Sequence, residues 1–367
     1  MATSGEASGG FFATLIDNGV SAIAEWTVNR QAELVPDLVE RYGSGGLSDL
    51  RADTRVRLSH LADALAFDEP ALHTTQAAWT AAAYRARGMP VSDLSRHYEA
   101  LHEVLVDRLP PTAKPMIDRH MGATAEAIGH ATGEPPSHVA GDGEDERLSR
   151  AYLEALLSGD RPGSLGIAVK SLDRTGDVAR VMDRVIRPAH AEIGRLWHLG
   201  QVGIAAEHFA TATSEWVLPQ LAGKVERAEP NGRTIVATSV GGDTHALGIR
   251  MVAECYELAG WRAYFLGPST PALDVASAAA EERADAIAVS ANLGCHIRSV
   301  RSVVHAVREA DLSPRPIVLV GGAPFNTIES MWRKVGADGT APDAARAVAE
   351  GERLIALRDG AAERPAD

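Results

Sequence analysis

Ile235 to Gly248 read IVATSVGGDTHALG. An apolar run of β type gives way to a turn at Gly241-Gly242, and a helix is expected beyond it carrying Asp243, His245 and Gly248. Strand, glycine turn and helix in this order open nucleotide-type α/β domains, whose ligand crevice lies past the carboxyl end of the strand. The unusual residue is His245. A carboxylate two positions earlier, Asp243, can hold one ring nitrogen and leave the other for a metal ion. Taken alone, Asp-x-His also reads as a surface pair that caps a helix, so the rest of the C-terminal region has to decide.

That region alternates helix and strand. Helices are expected over 249–258, 272–284 and 296–310, and strands over 262–266, 286–290 and 316–320, the last running into Gly321-Gly322. Apolar strands separated by helices indicate a parallel sheet covered on both faces. Asp243-x-His245-x-x-Gly248, then Ser290, then Gly321-Gly322, in this order and spacing, resembles the cobalamin-binding domain of base-off, histidine-on cobalamin proteins. The resemblance implies that His245 is the lower axial cobalt ligand, Asp243 its hydrogen-bond acceptor and Ser290 the extension of that relay. It implies that Gly248, Gly321 and Gly322 line the slot for the displaced nucleotide tail. Asn292 stands where the family has leucine, with Leu293 next, which puts the wall of that slot in question.

The 367 residues suffice for two or three domains with their own cores. A balance of 49 acidic against 36 basic side chains, net −13, argues against a nucleic-acid surface. Two cysteines, Cys255 and Cys295, make no disulfide scaffold. No apolar run reaches membrane-spanning length and no leader pattern opens the chain, so a cytoplasmic protein without a membrane partner is expected.

Residues 1–130 read as a helical, globin-like or bundled domain, with helices over 11–41, 47–66, 71–86, 90–106 and 112–128. Leu94, Tyr98, Leu101 and Leu105 form one stripe. The segment from Trp79 through Leu105 is similar to the N-terminal module of photocobilins, light sensors that hold biliverdin beside cobalamin. That resemblance implies a non-covalent biliverdin against Trp79, Tyr84, Arg87, His97 and Tyr98, while ordinary core and surface roles remain open for each.

Residues 131–146, rich in glycine, proline and acidic side chains, read as a solvated hinge. A second helical unit over 147–228 carries Leu196-Trp197-His198-Leu199-Gly200 and Ala205-Ala206-Glu207-His208-Phe209. It resembles the four-helix cap before the cobalamin domain of methionine synthase and of cobalamin-dependent light-responsive repressors. By that resemblance Trp197, Glu207 and His208 cover the upper corrin face, and His198 takes the upper cobalt position after light expels the alkyl group. The α/β domain follows over 229–358, with a closing helix over 343–357 and a polar tail over 359–367.

With no catalytic acid–base pair and no substrate barrel in view, a non-enzymatic role is expected: light sensing by photolysis of adenosylcobalamin coupled to biliverdin. The signal would leave by altered packing, by light-dependent association into a homo-oligomer such as a dimer, or through a protein partner. Two alternatives stand beside it, a corrinoid methyl-carrier subunit of a methyltransferase and a cobalamin-responsive regulator that does not use light.

Overall fold

The computed structural model describes residues 4–362, and the chain divides into two compact units that meet in sequence at Pro135 and Pro136. The first unit is helical: α1 Ser4–Leu34, α2 Leu38–Ala66, α3 Ala71–Ala86, α4 Val91–Arg108 and α5 Lys114–His130. The helix expected over 11–41 is corrected, because the chain breaks between Leu34 and Leu38. Pro36 has no N–H to continue the helix and its ring clashes with the preceding turn. Gly43, at φ 66°, then bends α2 without ending it. Helices α1 and α2 approach so closely that a Cβ on Gly9 would overlap the Leu65 carbonyl oxygen. The expected stripe of α4, from Leu94 to Leu105, is buried.

The interior of this unit is unusually polar. Arg57, His73, His97, Tyr98 and His120 are all buried. Each has one polar atom without a hydrogen-bond partner: Arg57 Nη1, His73 Nε2, His97 Nε2, Tyr98 Oη and His120 Nδ1. Desolvation holds His73 down to about 3, His120 to about 4, and His97 well below the ordinary imidazole value. These side chains bind protons more weakly folded than unfolded. Their stabilisation is therefore complete above the unfolded value of 6.5 and is lost as pH falls below it. The loss is about 1.4 kcal/mol per pH unit for each histidine. Urea unfolding of the full chain, with deuterium uptake followed in peptides of α3 to α5, should give a lower midpoint at pH 5 than at pH 7. Equal midpoints would show that these imidazoles are not held neutral.

The second unit begins with helices α6 Glu144–Leu157, α7 Arg161–Thr175, α8 Val178–Val181, α9 Arg187–His198 and α10 Ile204–Ala222. A π turn over Met182–Ile186 joins α8 to α9. The solvated hinge expected over 131–146 is corrected in its second half. The His138 N–H donates to Glu192 at 2.8 Å, Arg150 donates to the Val139 carbonyl at 2.7 Å, and Val139 is buried. Glu144, Asp145 and Glu146 form the first turn of α6, where carboxylates meet the positive end of the helix.

Next come β1 Thr234–Val240, α11 Leu247–Leu258, β2 Arg262–Thr270, α12 Ala272–Glu281, β3 Ala286–Ser290 and α13 Ile297–Glu309. β4 Ile317–Gly321, α14 Ala323–Thr327, α15 Met331–Lys334, β5 Gly339–Thr340 and α16 Ala344–Ala362 complete the described chain. The strands are parallel in the order β2-β1-β3-β4-β5. β1 is buried along its whole length and β3 and β4 over all but their last residue, which is why they read as continuous apolar runs. β2 is an edge strand and half exposed, which accommodates Arg262, Tyr264 and Ser269. Met251 and Cys255 of α11 enter the core made by α6 to α10, with Cys255 Sγ 3.9 Å from Met182 Sδ.

From β1 the chain goes first to one neighbour, β2, and later returns to the other, β3. The crevice beyond the carboxyl ends of β1 and β3 is the place where such sheets bind ligands. Helix α16 runs past the expected end at 357 into the segment read as a tail, and residues 363–367 lie outside the described ones. Among the described residues, no helix is long and apolar enough to cross a membrane.

Candidate functional site

After β1 the chain turns at Gly242, φ 89°, and α11 starts only at Leu247. Asp243 and His245 therefore lie on a loop rather than on the expected helix, and of the three motif residues only Gly248 is helical. Asp243 causes the delay. Its Oδ1 accepts the backbone N–H of His245 at 3.0 Å, a local turn that competes with helix formation. The loop is fastened to its neighbours as well. Ser239 Oγ and the Ser269 N–H donate to the Asp243 carbonyl at 2.7 and 3.1 Å, and the Gly242 N–H donates to Ser269 Oγ at 3.0 Å. Ser269 adopts φ 57° to make these contacts.

The Asp243 carboxylate is fully buried, whereas the His245 side chain is 53% exposed. His245 Nδ1 lies 2.7 Å from Asp243 Oδ1. A proton on Nδ1 donated to that oxygen leaves the Nε2 lone pair facing outward. Oδ2 accepts the Asn292 N–H at 2.6 Å and faces His296 Nδ1 at 3.5 Å. Burial would raise the Asp243 pKa, but the donors on both oxygens outweigh it and hold the carboxyl far below its usual range. The same pair raises His245, with Asp243 the chief cause and the Glu207 carboxylate of α10 a lesser one. Burial alone would lower His296, but Asp243 and Cys295 raise it to about 10.

The other expected site residues fall around this centre. Ser290 ends β3 between Ser239 and Gly321, and its hydroxyl is not among the described partners of Asp243. Asn292 contributes its backbone, and its side chain is exposed. A Cβ on Gly248 would meet nothing within 4 Å, and one on Gly321 would make ordinary contact with Ala341. Gly322, φ 109°, has no room at all, because a Cβ would overlap the Ala291 carbonyl. Trp197 and His198 end α9 with ring centroids 6.4 Å apart. On the first turns of α10, Glu207 accepts from Thr211 at 3.1 Å and lies 3.6 Å from the exposed His208. Trp197, Ile204 and Phe209 leave apolar surface exposed at this end of the helical unit.

Ser239, Ser269 and His296 were not expected from the sequence. Among the described residues, no group of three or more His, Cys, Asp or Glu side chains is arranged to hold a metal ion. His245 presents a single imidazole on a half-exposed side chain.

Two B12 binding domain families match the chain, over residues 148–221 and 233–349, both in the second unit. The chain is 34% identical over 128 residues to dimethylamine corrinoid protein 3 of Methanosarcina acetivorans, an alignment covering 35% of this chain and 59% of that protein. It is 31% identical over 122 residues to dimethylamine corrinoid protein 3 of Methanosarcina mazei, covering 33% of this chain and 72% of that one. The chain thus spans less than two thirds of the first of these relatives. The structure of the Methanosarcina barkeri monomethylamine corrinoid protein shares the fold, with a TM-score of 0.50 and 16% identity over 57% of this chain and 99% of that one.

These relatives overturn the photocobilin resemblance, and with it light sensing, the chromophore biliverdin and the specific pairing of biliverdin with adenosylcobalamin. The five residues expected against a bilin are not alike in placement. His97 and Tyr98 are buried core rings, 5.7 Å apart and edge to face, while Trp79 and Arg87 are exposed on α3 and beyond its end. His198 loses its role as a ligand installed by light.

Proposed function

We propose a function from one premise: the chain belongs to the corrinoid proteins and carries their B12 binding domain. It is a methyl carrier, holding cobalamin and presenting it to the proteins that load and unload a methyl group. The chain is not itself an enzyme. Dimethylamine and monomethylamine, in the names of its relatives, suggest methylamines as the source of the methyl group and a methyltransferase as the partner. Assembly with a second copy, expected above as light-dependent, is proposed here without the light, and the location as cytoplasmic.

The observation that carries this reading is the half-exposed imidazole of His245, its Nδ1 held by the buried Asp243, at the crevice between β1 and β3. When bound, cobalamin supplies the cobalt that accepts and releases the methyl group. His245 would hold that cobalt through Nε2, and Asp243 would keep the ring oriented and its Nδ1 proton in place. Ser290 would extend this relay from the end of β3, where it pairs with Ser239. Gly248, Gly321, Gly322 and the segment at Asn292 form the slot for the nucleotide tail, and the open space before Gly248 fits that use. Helices α6 to α10, with α8 and α9 continuous through the π turn, would act as a four-helix cap in which Trp197, His198, Glu207 and His208 cover the bound cofactor and exclude water.

The test follows a labelled methyl group. Full-chain protein holding reduced cobalamin should take up label from isotopically labelled methylamine when a methylamine-type methyltransferase is supplied, and should pass that label to a thiol when a second methyltransferase that uses the thiol as acceptor is added. Label retained through repeated cycles would sink the carrier reading. The slot is tested separately by Gly248→Leu. With nothing within 4 Å of the added Cβ on an exposed position, cofactor-free stability should stay within about 0.5 kcal/mol. Hydroxocobalamin affinity should fall at least tenfold, and unchanged affinity would remove Gly248 from the slot.

A further inference from the structure

His296 stands where the loop after β3 meets the loop after β1. It closes the turn Gly294–His296 just before α13, and its side chain is only 16% exposed. The ring lies against the Gly242 turn, where an added Cβ would come 3.6 Å from His296 Nε2. Its Nδ1 is buried, has no hydrogen-bond partner, and lies 3.5 Å from Asp243 Oδ2. Asp243 thus sits between two imidazoles, with His245 on one oxygen and His296 facing the other.

We propose that His296 is a positioning residue for the axial ligand: it restrains the Asp243 carboxylate from its second oxygen and thereby aims the His245 imidazole. This rests on the cobalamin reading above. A carboxylate turns about its Cβ–Cγ bond, and the ring orientation of His245 follows the plane of the oxygen it bonds. The Asn292 N–H fixes Oδ2 from one direction only. His296 supplies the second direction, from a helix start rather than from the same loop. At 3.5 Å the contact is longer than a formed hydrogen bond. Closing it would give a buried unpaired nitrogen its partner.

The test uses the full chain and hydroxocobalamin, reduced to the cob(II)alamin state in which electron paramagnetic resonance detects an axial nitrogen. His296→Phe keeps a ring on Gly242 but has no donor, and His296→Asn restores a donor near the Nδ1 position. Circular dichroism confirms that each variant is folded. The native protein should show the nitrogen splitting and His245→Ala should lack it. His296→Phe should give a mixture of nitrogen-bound and nitrogen-free signals with affinity weakened, but by less than the ~10–100-fold expected for loss of Asp243, the ligand's direct partner. His296→Asn should recover most of both. If the native spectrum lacks nitrogen, the axial assignment falls and this inference with it. If the native spectrum has nitrogen and His296→Phe keeps it at unchanged affinity, the inference alone is overturned, as it is if the Asn variant behaves like the Phe variant.

Discussion

His245→Ala is expected to abolish histidine-on cobalamin binding, leaving any residual cofactor with the spectrum of a base-off form. The affinity loss should exceed the ~10–100-fold that follows loss of an outer partner, since the donor atom itself is gone. Asp243→Asn should fall inside that range. An amide has one acceptor oxygen and one NH2 group, so it cannot accept from both His245 Nδ1 and the Asn292 N–H as the carboxylate does. One of these donors would then face an NH2 group inside a fully buried pocket, which costs about 1–3 kcal/mol of stability. Absorbance titration with hydroxocobalamin, beside thermal unfolding of the cofactor-free protein, separates the two substitutions. His245→Ala should unfold like the native protein, because that side chain is half exposed, whereas Asp243→Asn should not. An unchanged spectrum and affinity in His245→Ala would remove the lower-ligand assignment.

The second large effect is expected from Gly322→Ala. Two independent faults act there. At φ 109° an L side chain is strained by roughly 1–3 kcal/mol. The new Cβ also overlaps the Ala291 carbonyl, and that backbone is tied to Gly321 by the Ala291 N–H. Overpacking of this kind adds about 1–3 kcal/mol. The α/β unit should lose roughly 10 °C of thermal stability, since a domain of this size loses about 2–4 °C per kcal/mol. Gly248→Ala, in open space, should lose none of it. Equal unfolding temperatures for the native protein and Gly322→Ala would contradict the close approach of β4 to the segment after β3.

The helical N-terminal region and the parallel-sheet domain were both legible because their cores impose periodicity. β1, β3 and β4 are covered on both faces and so contain almost nothing but small and β-branched residues. The loop position of Asp243 and His245 was not legible, since a side-chain-to-backbone bond at Asp243 postpones α11 without leaving a mark that periodicity can register. Ser269 and His296 were missed for a different reason. Their importance comes from proximity across two loops, between residues 26 or more positions apart. The misreading of function has a physical source too. The stretch from Trp79 to Leu105 is dominated by residues that helix packing alone selects, such as Leu94, Tyr98 and Leu105, so its similarity to a chromophore module tracked helix packing more than ligand chemistry. The signature around His245 is different, because no packing rule demands an aspartate buried beside a half-exposed imidazole.

The bonds from Ser239 and Ser269 to the backbone of Asp243 have a consequence for how affinity arises. The loop that presents His245 is already ordered by the sheet, so its conformational entropy is lost when the chain folds and not when the ligand arrives. Binding then registers as mass action on a preorganised site. The unfolding temperature should climb with the logarithm of cofactor concentration, while the backbone between Ser239 and His245 keeps the same deuterium-exchange protection with and without ligand.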